Sequence, residues 1–314
     1  MNNFIFSLNA TVPIFLVILL GWILMQKHIL TKEFTTVADK FVFKIALPCL
    51  LFKDIVTANI KETFDLRFVL FCMITTTIMF LTTWLLTALF MKDKSMVGAF
   101  IQASVRGSSA VLGIAFVQNI YGNSGMAPMM IVASVPLYNI FSVIILTFNS
   151  NESTKDTNKI KTACINVLKN PIIIAIFAAL VVALLEIPIP TMALKTVSNV
   201  AATATPLALI VVGATFEGKK AISKIKPTAL ATFIKLILLP ALFLPIAYLF
   251  GFRNSEMVAI LVMLASPTTV TCYIMAKNMH NDAILSSSIV VTATLFSSVT
   301  LTMWVYLLRT IALI

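Results

Sequence analysis

Arg106 stands inside a long apolar segment and opens the run Arg106-Gly107-Ser108-Ser109. A guanidinium offers five donors in a planar fork that fits carboxylate or phosphate. Gly98, Gly107 and Gly113 crowd the same segment, and glycine weakens a helix interior. At an offset of 158 residues the chain reads Leu264-Ala265-Ser266-Pro267-Thr268-Thr269. Pro267 removes a backbone donor and clashes with the preceding turn, so a helix should break there as well. Two interrupted helices meeting at one depth would present half-helix N-termini, which favour anions, with Arg106 as a clamp. The chemistry these residues suit is reversible capture of a small anion. The same glycines and serines could instead serve close helix packing, and Pro267 could merely kink its helix.

The elements that must hold these residues are membrane helices. The chain has 314 residues, of which 60% are hydrophobic and 11% charged, a balance that excludes an ordinary soluble domain. Ten apolar segments, near 9–26, 35–56, 66–91, 96–119, 126–148, 170–187, 193–216, 227–250, 256–277 and 283–313, approach or exceed the about 20 helical residues that cross a hydrocarbon core. Nothing alternates like a barrel strand, and lipid demands internally satisfied backbone, so the expected class is an all-α polytopic membrane protein. Residues 149–170 form the longest polar stretch and read as a linker.

Net charge is +11, but the basic residues sit in short loops, the pattern of membrane topology and not of a nucleic-acid groove. Clusters at Lys92 and Lys94, Lys155–Lys169 and Lys219–Lys226 fall on one side. Lys53, Lys61, Arg67, Lys195, Arg253 and Arg309 fall on the other. The positive-inside rule then puts both termini on the non-cytoplasmic side of the cell membrane.

Pro13 and Pro171, Pro48 and Pro206, and Ser108 and Ser266 all share the 158-residue offset. It maps segments one to five onto six to ten. Five spans is an odd number, so the second half enters from the opposite face and the repeats are inverted. The expected units are 1–148 and 170–314, joined by a cytoplasmic linker over 149–169. Pro48 and Pro206 are expected to bend the second and seventh helices.

Three basic residues, Lys44, Arg106 and Lys235, fall inside expected spans, while the 12 acidic residues lie in loops or near segment ends. A cation at mid-membrane costs about 2.5–3.5 kcal/mol and usually faces a cavity or partner. An electropositive interior without a built-in counter-ion points to an anionic substrate. Lys44 and Lys235 could line the path or serve structurally, because lysine snorkels. Asn139, with Asn119, Ser134 and Thr271, is a polar position inside a span. Cys49, Cys72, Cys164 and Cys272 show no paired or metal-like spacing, and the two histidines give no basis for a metal site. No cofactor and no catalytic constellation is expected.

Lys44-Ile45-Ala46-Leu47-Pro48, Arg106-Gly107-Ser108 with Gly113, Lys235-Leu236-Ile237-Leu238-Leu239-Pro240, and Ser266-Pro267-Thr268 with Tyr273 occur in an order and spacing that resemble the auxin efflux carrier family. That family includes plant exporters and bacterial malate-type carriers. The resemblance covers essentially the whole chain. It implies crossed, broken fourth and ninth helices marking the substrate site. It also implies a scaffold of helices one, two, six and seven, a mobile unit of the rest, and a homodimer through the scaffold. Family members often carry Asn at the position of Ser108 and Pro at that of Ala115. The amide is therefore lost here, and the shape of the first break differs.

The expected substrate-binding set is Arg106, Gly107, Ser108, Ser109, Gly113, Ser266, Pro267, Thr268, Thr269 and Tyr273, supported by Lys44, Lys235 and Asn139. The expected function is a secondary carrier of small organic anions, and not an enzyme. A cation/proton antiporter on a related fold is the nearest rival; such proteins use buried aspartates, which this sequence does not place mid-span. A membrane sensor that binds without moving its ligand is a third class.

Overall fold

The computed structural model describes the backbone of residues 2–57, 65–109, 116–118, 120–122, 125–150, 165, 167–216 and 218–314, with side chains from residue 12 onward except that of residue 219. Among these residues the fold is helical, and its one β-type contact is an isolated bridge between Gly107 and Thr268.

In chain order the helices are α1 (Asn2–Gln26), α2 (Lys32–Phe41), α3 (Leu47–Val56), α4 (Leu66–Phe90), α5 (Val97–Val105), α6 (Ala127–Phe148), α7 (Pro171–Leu184), α8 (Thr191–Ala214), α9 (Gly218–Ser223), α10 (Ile225–Phe233), α11 (Leu239–Leu249), α12 (Asn254–Ala265), α13 (Thr271–Asn278) and α14 (Ala283–Thr310). Wide π turns, Val42–Ala46 and Ile234–Leu238, join α2 to α3 and α10 to α11. Among the described residues five helices are long and apolar enough to cross a membrane unaided: Leu66–Phe90, Ala127–Phe148, Thr191–Ala214, Ile225–Leu249 and Ala283–Thr310. Val12–Gln26, Pro171–Leu184 and Asn254–Ala265 are shorter apolar helices. Along α4, Leu70, Ile74, Ile78, Leu81 and Leu85 are exposed at helical spacing, an apolar stripe that suits lipid and not water.

Several acidic residues earn their place as caps. Asp65 accepts from the backbone N–H of Arg67 at 2.8 Å and Phe68 at 3.1 Å to start α4. Asp282 accepts from Leu285 N–H at 2.9 Å to start α14. These carboxylates satisfy amides that a helix start leaves free, and they complement its positive end. In the loop after α4, hydrogen bonds from the Ser95 hydroxyl and amide hold the Asp93 carboxyl below the usual carboxylate range.

Two apolar clusters form the core. One gathers α4, α6, α11, α12 and the later part of α14; the other gathers α1, α2, α3, α7, α8, α13 and the early part of α14. α5 joins them, and all its residues from Val97 to Val105 are buried. Val97, Ile101 and Val105, four apart, face the first cluster, while Ala99, Phe100 and Ala103 face the second. α1 packs on α8 through two glycines. A Cβ on Gly21 would collide with Ile210 O, and one on Gly213 with Ile18 O, so the backbones approach as only small residues allow.

The two prolines expected to bend matched helices behave differently. Pro206 sits inside an uninterrupted α8, whereas Pro48 follows the π turn Val42–Ala46. Pro240 follows the other π turn in the same way. In each, the residue before proline donates five positions back, Leu47 N–H to Val42 O and Leu239 N–H to Ile234 O. Proline cannot donate to the carbonyl four residues earlier, and a wide turn relieves the clash. Beside Pro240 that carbonyl is Leu236 O, and Trp304 Nε1 of α14 donates to it at 3.0 Å.

Candidate functional site

α5 stops at Val105 because Arg106 is extended, with φ −75° and ψ 113°. α12 stops at Ala265 because Ser266 precedes Pro267, and a residue before proline is pushed out of the helical region; Ser266 has φ −62° and ψ 148°. The two extended stretches lie against each other in the Gly107–Thr268 bridge. Ser108 N–H donates to Pro267 O at 2.9 Å, and Thr268 Oγ1 donates to Ala103 O at 2.7 Å. A Cβ on Gly107 would run into Ser266 Oγ and stand 2.8 Å from Lys235 Nζ, so any larger residue here would force those side chains to move.

Lys235 is fully buried and spent on backbone. Its ammonium donates to Val105 O at 3.0 Å, Met263 O at 3.2 Å and Leu264 O at 2.8 Å. Those carbonyls belong to the last turns of α5 and α12, where intrahelical partners run out and the helix end is negative. An ammonium has three donors, and all are used. Lys235 therefore fastens both interrupted helices and offers no further donor to an anion. Tyr138 OH of α6 adds a bond to Met263 O at 3.0 Å.

Arg106 differs. It is buried; Nη2 donates to Asn139 Oδ1 at 2.7 Å, and Nη1 lies against the Met275 thioether, a weak acceptor. Asn139 in turn donates to Val135 O at 2.8 Å, which fixes its amide on α6. Ion pairs such as Lys53–Asp54, Lys224–Asp282 and Lys277–Asp39 lie elsewhere, and among the described residues no carboxylate pairs with Arg106. Around it, Gln102 Nε2, one helical turn earlier on α5, donates to Cys272 O at 2.8 Å, while Gln102 Oε1 and Ser266 Oγ are buried without a partner.

The structure thus brings Arg106, Gly107, Ser108, Ser109, Ser266, Pro267, Thr268 and Thr269 to one crossing. Gly113, Ala115 and Asn119 lie outside the described residues, as do Lys61, Cys164 and most of the linker. Tyr273 is turned elsewhere: Thr215 Oγ1, just beyond α8, lies 2.7 Å from its hydroxyl. Lys44 is exposed on its π turn. One expectation needs correction. Asp39, four residues inside the second expected segment, is buried and paired with Lys277 of α13, so an expected span does carry a buried carboxylate. The sequence reading also missed Gln102, Tyr138 and Met275. Gln102 was within reach, because position i−4 shares the helix face of Arg106.

Residues 6–305 match the profile of a family described as membrane transport protein. The chain is similar to the uncharacterized transporter YfdV of Escherichia coli (strain K12), with 24% identity over 98% of this chain and 99% of that one. It is also similar to an uncharacterized transporter of Methanothermobacter thermautotrophicus, with 20% identity over 96% of this chain and 98% of that one.

Proposed function

The chain belongs to the membrane transport protein family, and we propose that it is a secondary carrier moving small organic anions, carboxylates above all, by alternating access. The observation that carries this reading is Arg106: a buried guanidinium whose partners among the described residues are an amide oxygen and a thioether, with no carboxylate. A buried charge left so poorly balanced is costly, and an incoming carboxylate supplies the missing bidentate partner. The hydroxyl of Ser266 stands nearby without a partner, as does Oε1 of Gln102, whose Nε2 is already bound to Cys272 O.

In this reading the chain forms ten spans in two inverted repeats, 1–148 and 170–314, with both termini on the non-cytoplasmic side of the cell membrane. The fourth and ninth helices are the interrupted pair. α1, α2 with α3, α7 and α8 form the scaffold that stays fixed and pairs with a second copy, while the remaining helices carry the anion. Lys235 keeps the crossing rigid while it travels.

Asp39 gives the cation/proton antiporter a foothold as the second reading, since such exchangers use buried carboxylates. Thermal-shift measurements against mono- and dicarboxylates, followed by flux of each hit in proteoliposomes, separate the two. The carrier reading expects stabilisation by an organic anion and saturable flux of it. Sodium or proton flux with no organic anion present would favour the antiporter.

A further inference from the structure

We propose that Asp39 is the binding site for a coupling proton: ionised while paired with Lys277, it takes up a proton when α13 moves away from α2. The proposal rests on the carrier reading and adds what drives it.

Among the described residues Asp39 is the one acidic side chain that is buried as a whole residue, at 2% exposure. Its Oδ2 pairs with Lys277 Nζ, and its Oδ1 is buried with no partner. The Lys277 side chain is 30% exposed and that of Asp39 is 3% exposed. This asymmetry decides what happens if the pair parts. The ammonium swings into water and keeps its charge. The carboxylate is held on α2, which packs on α8 and the first π turn as well as on α13, and while it stays buried an unpaired charge costs far more than a neutral acid. Parting therefore transfers one proton from water to Asp39, and re-forming the pair returns it.

The pair also sits where it would feel the anion. α13 has eight residues, Thr271–Asn278. Cys272 and Met275 meet Gln102 and Arg106 of the candidate site. Tyr273 and Lys277, four residues apart on another face, tie to Thr215 and Asp39. A shift of α13 that follows occupancy of Arg106 pulls on both ties. The elements packed on α2 are α8, α13 and the first π turn. Their charged or titratable side chains are Lys195 on α8, Cys272, Tyr273 and Lys277 on α13, and Lys44 on the turn, while α2 itself adds Lys32, Glu33 and Lys40. Of these, Lys277 is the one paired with Asp39, and Lys32, Glu33, Lys40 and Lys44 are exposed.

The test uses the full-length protein in lipid and needs no substrate for its first arm. Infrared difference spectra between about pH 8 and about pH 5 read the carboxylic acid band, and spin labels on α2 and α13 read their separation. Wild type is expected to gain a buried-acid band and lengthen the separation as pH falls. D39N is expected to lack that band and show the long separation throughout. K277Q guards against a D39N protein that fails to fold, and it predicts the opposite signature, a buried-acid band already present near neutral pH. In the second arm, malate-driven proton uptake into proteoliposomes should disappear in D39N. Malate flux should rise with falling pH in wild type, by at most about tenfold per pH unit for one proton, and flatten in D39N. A pH-dependent band and separation unchanged by D39N would overturn the proposal. If no carboxylate is transported but the first arm holds, the carrier reading fails and the proton site stands.

Discussion

Lys235 and Gly107 exclude each other's neighbours: no side chain can stand at residue 107 while the Lys235 ammonium keeps its place 2.8 Å from where a Cβ would be. The glycine lets two interrupted helices touch, and the lysine closes both of their carbonyl ends.

Removing the ammonium takes the donor from Val105 O and Leu264 O, while Met263 O keeps Tyr138 OH. Each unsatisfied group costs about 1–3 kcal/mol, so K235M should destabilise the folded protein by about 2 kcal/mol or more. Thermal unfolding in detergent reads this directly, and K235R should not restore wild-type stability because the larger guanidinium cannot fit where Gly107 leaves room only for the ammonium.

Adding a methyl at residue 107 should weaken stability and flux together. Part of the clash is with Ser266 Oγ, so G107A/S266A should recover some of what G107A alone loses. A double-mutant cycle measures it; strictly additive effects would mean the two side chains do not meet.

Asn139 offers a sharper test of charge at the crossing. N139D places a carboxylate against Arg106, which has no carboxylate partner among the described residues. The new ion pair offsets the lost bond to Val135 O, so stability should stay near wild type, while apparent affinity for an organic anion should fall by about tenfold or more, as for any ligand competing with a built-in partner.

Trp304 is bound to the backbone break beside Pro240. W304F leaves Leu236 O without its donor and should cost about 1–3 kcal/mol. In a P240A background the helix regains a donor for that carbonyl, so the same W304F substitution should cost less, read as the difference in unfolding midpoint.

The interruptions near residues 106 and 267 were legible because glycine and proline act through their own backbone, and Ser266 is extended for the purely local reason that proline follows it. Arg106 was legible as a charge in an apolar run, and Asn139 as a polar position on a neighbouring span. What Lys235 does was not legible. Sequence shows a lysine in a membrane segment, but only the fold brings Val105, Met263 and Leu264 to it, from up to 130 residues away. The two π turns were hidden for a related reason: they recur at Leu-Pro in the second and eighth segments, which the 158-residue offset does not pair. Asp39 was read as a segment-end carboxylate, because only the fold shows it buried and paired with Lys277. Tyr273 lies near the break in sequence, yet its hydroxyl meets Thr215, just beyond α8, a contact that only the fold shows.

The central claim is that Arg106 holds the transported anion, and anion flux in proteoliposomes with R106A against wild type tests it most directly. Wild type should show saturable uptake of at least one small carboxylate. R106A, inserted and folded to the same extent, should lose about 2–5 kcal/mol of binding, a loss of roughly thirtyfold or more in apparent affinity. Uptake of the same anion by R106A at wild-type rate and affinity would contradict the account.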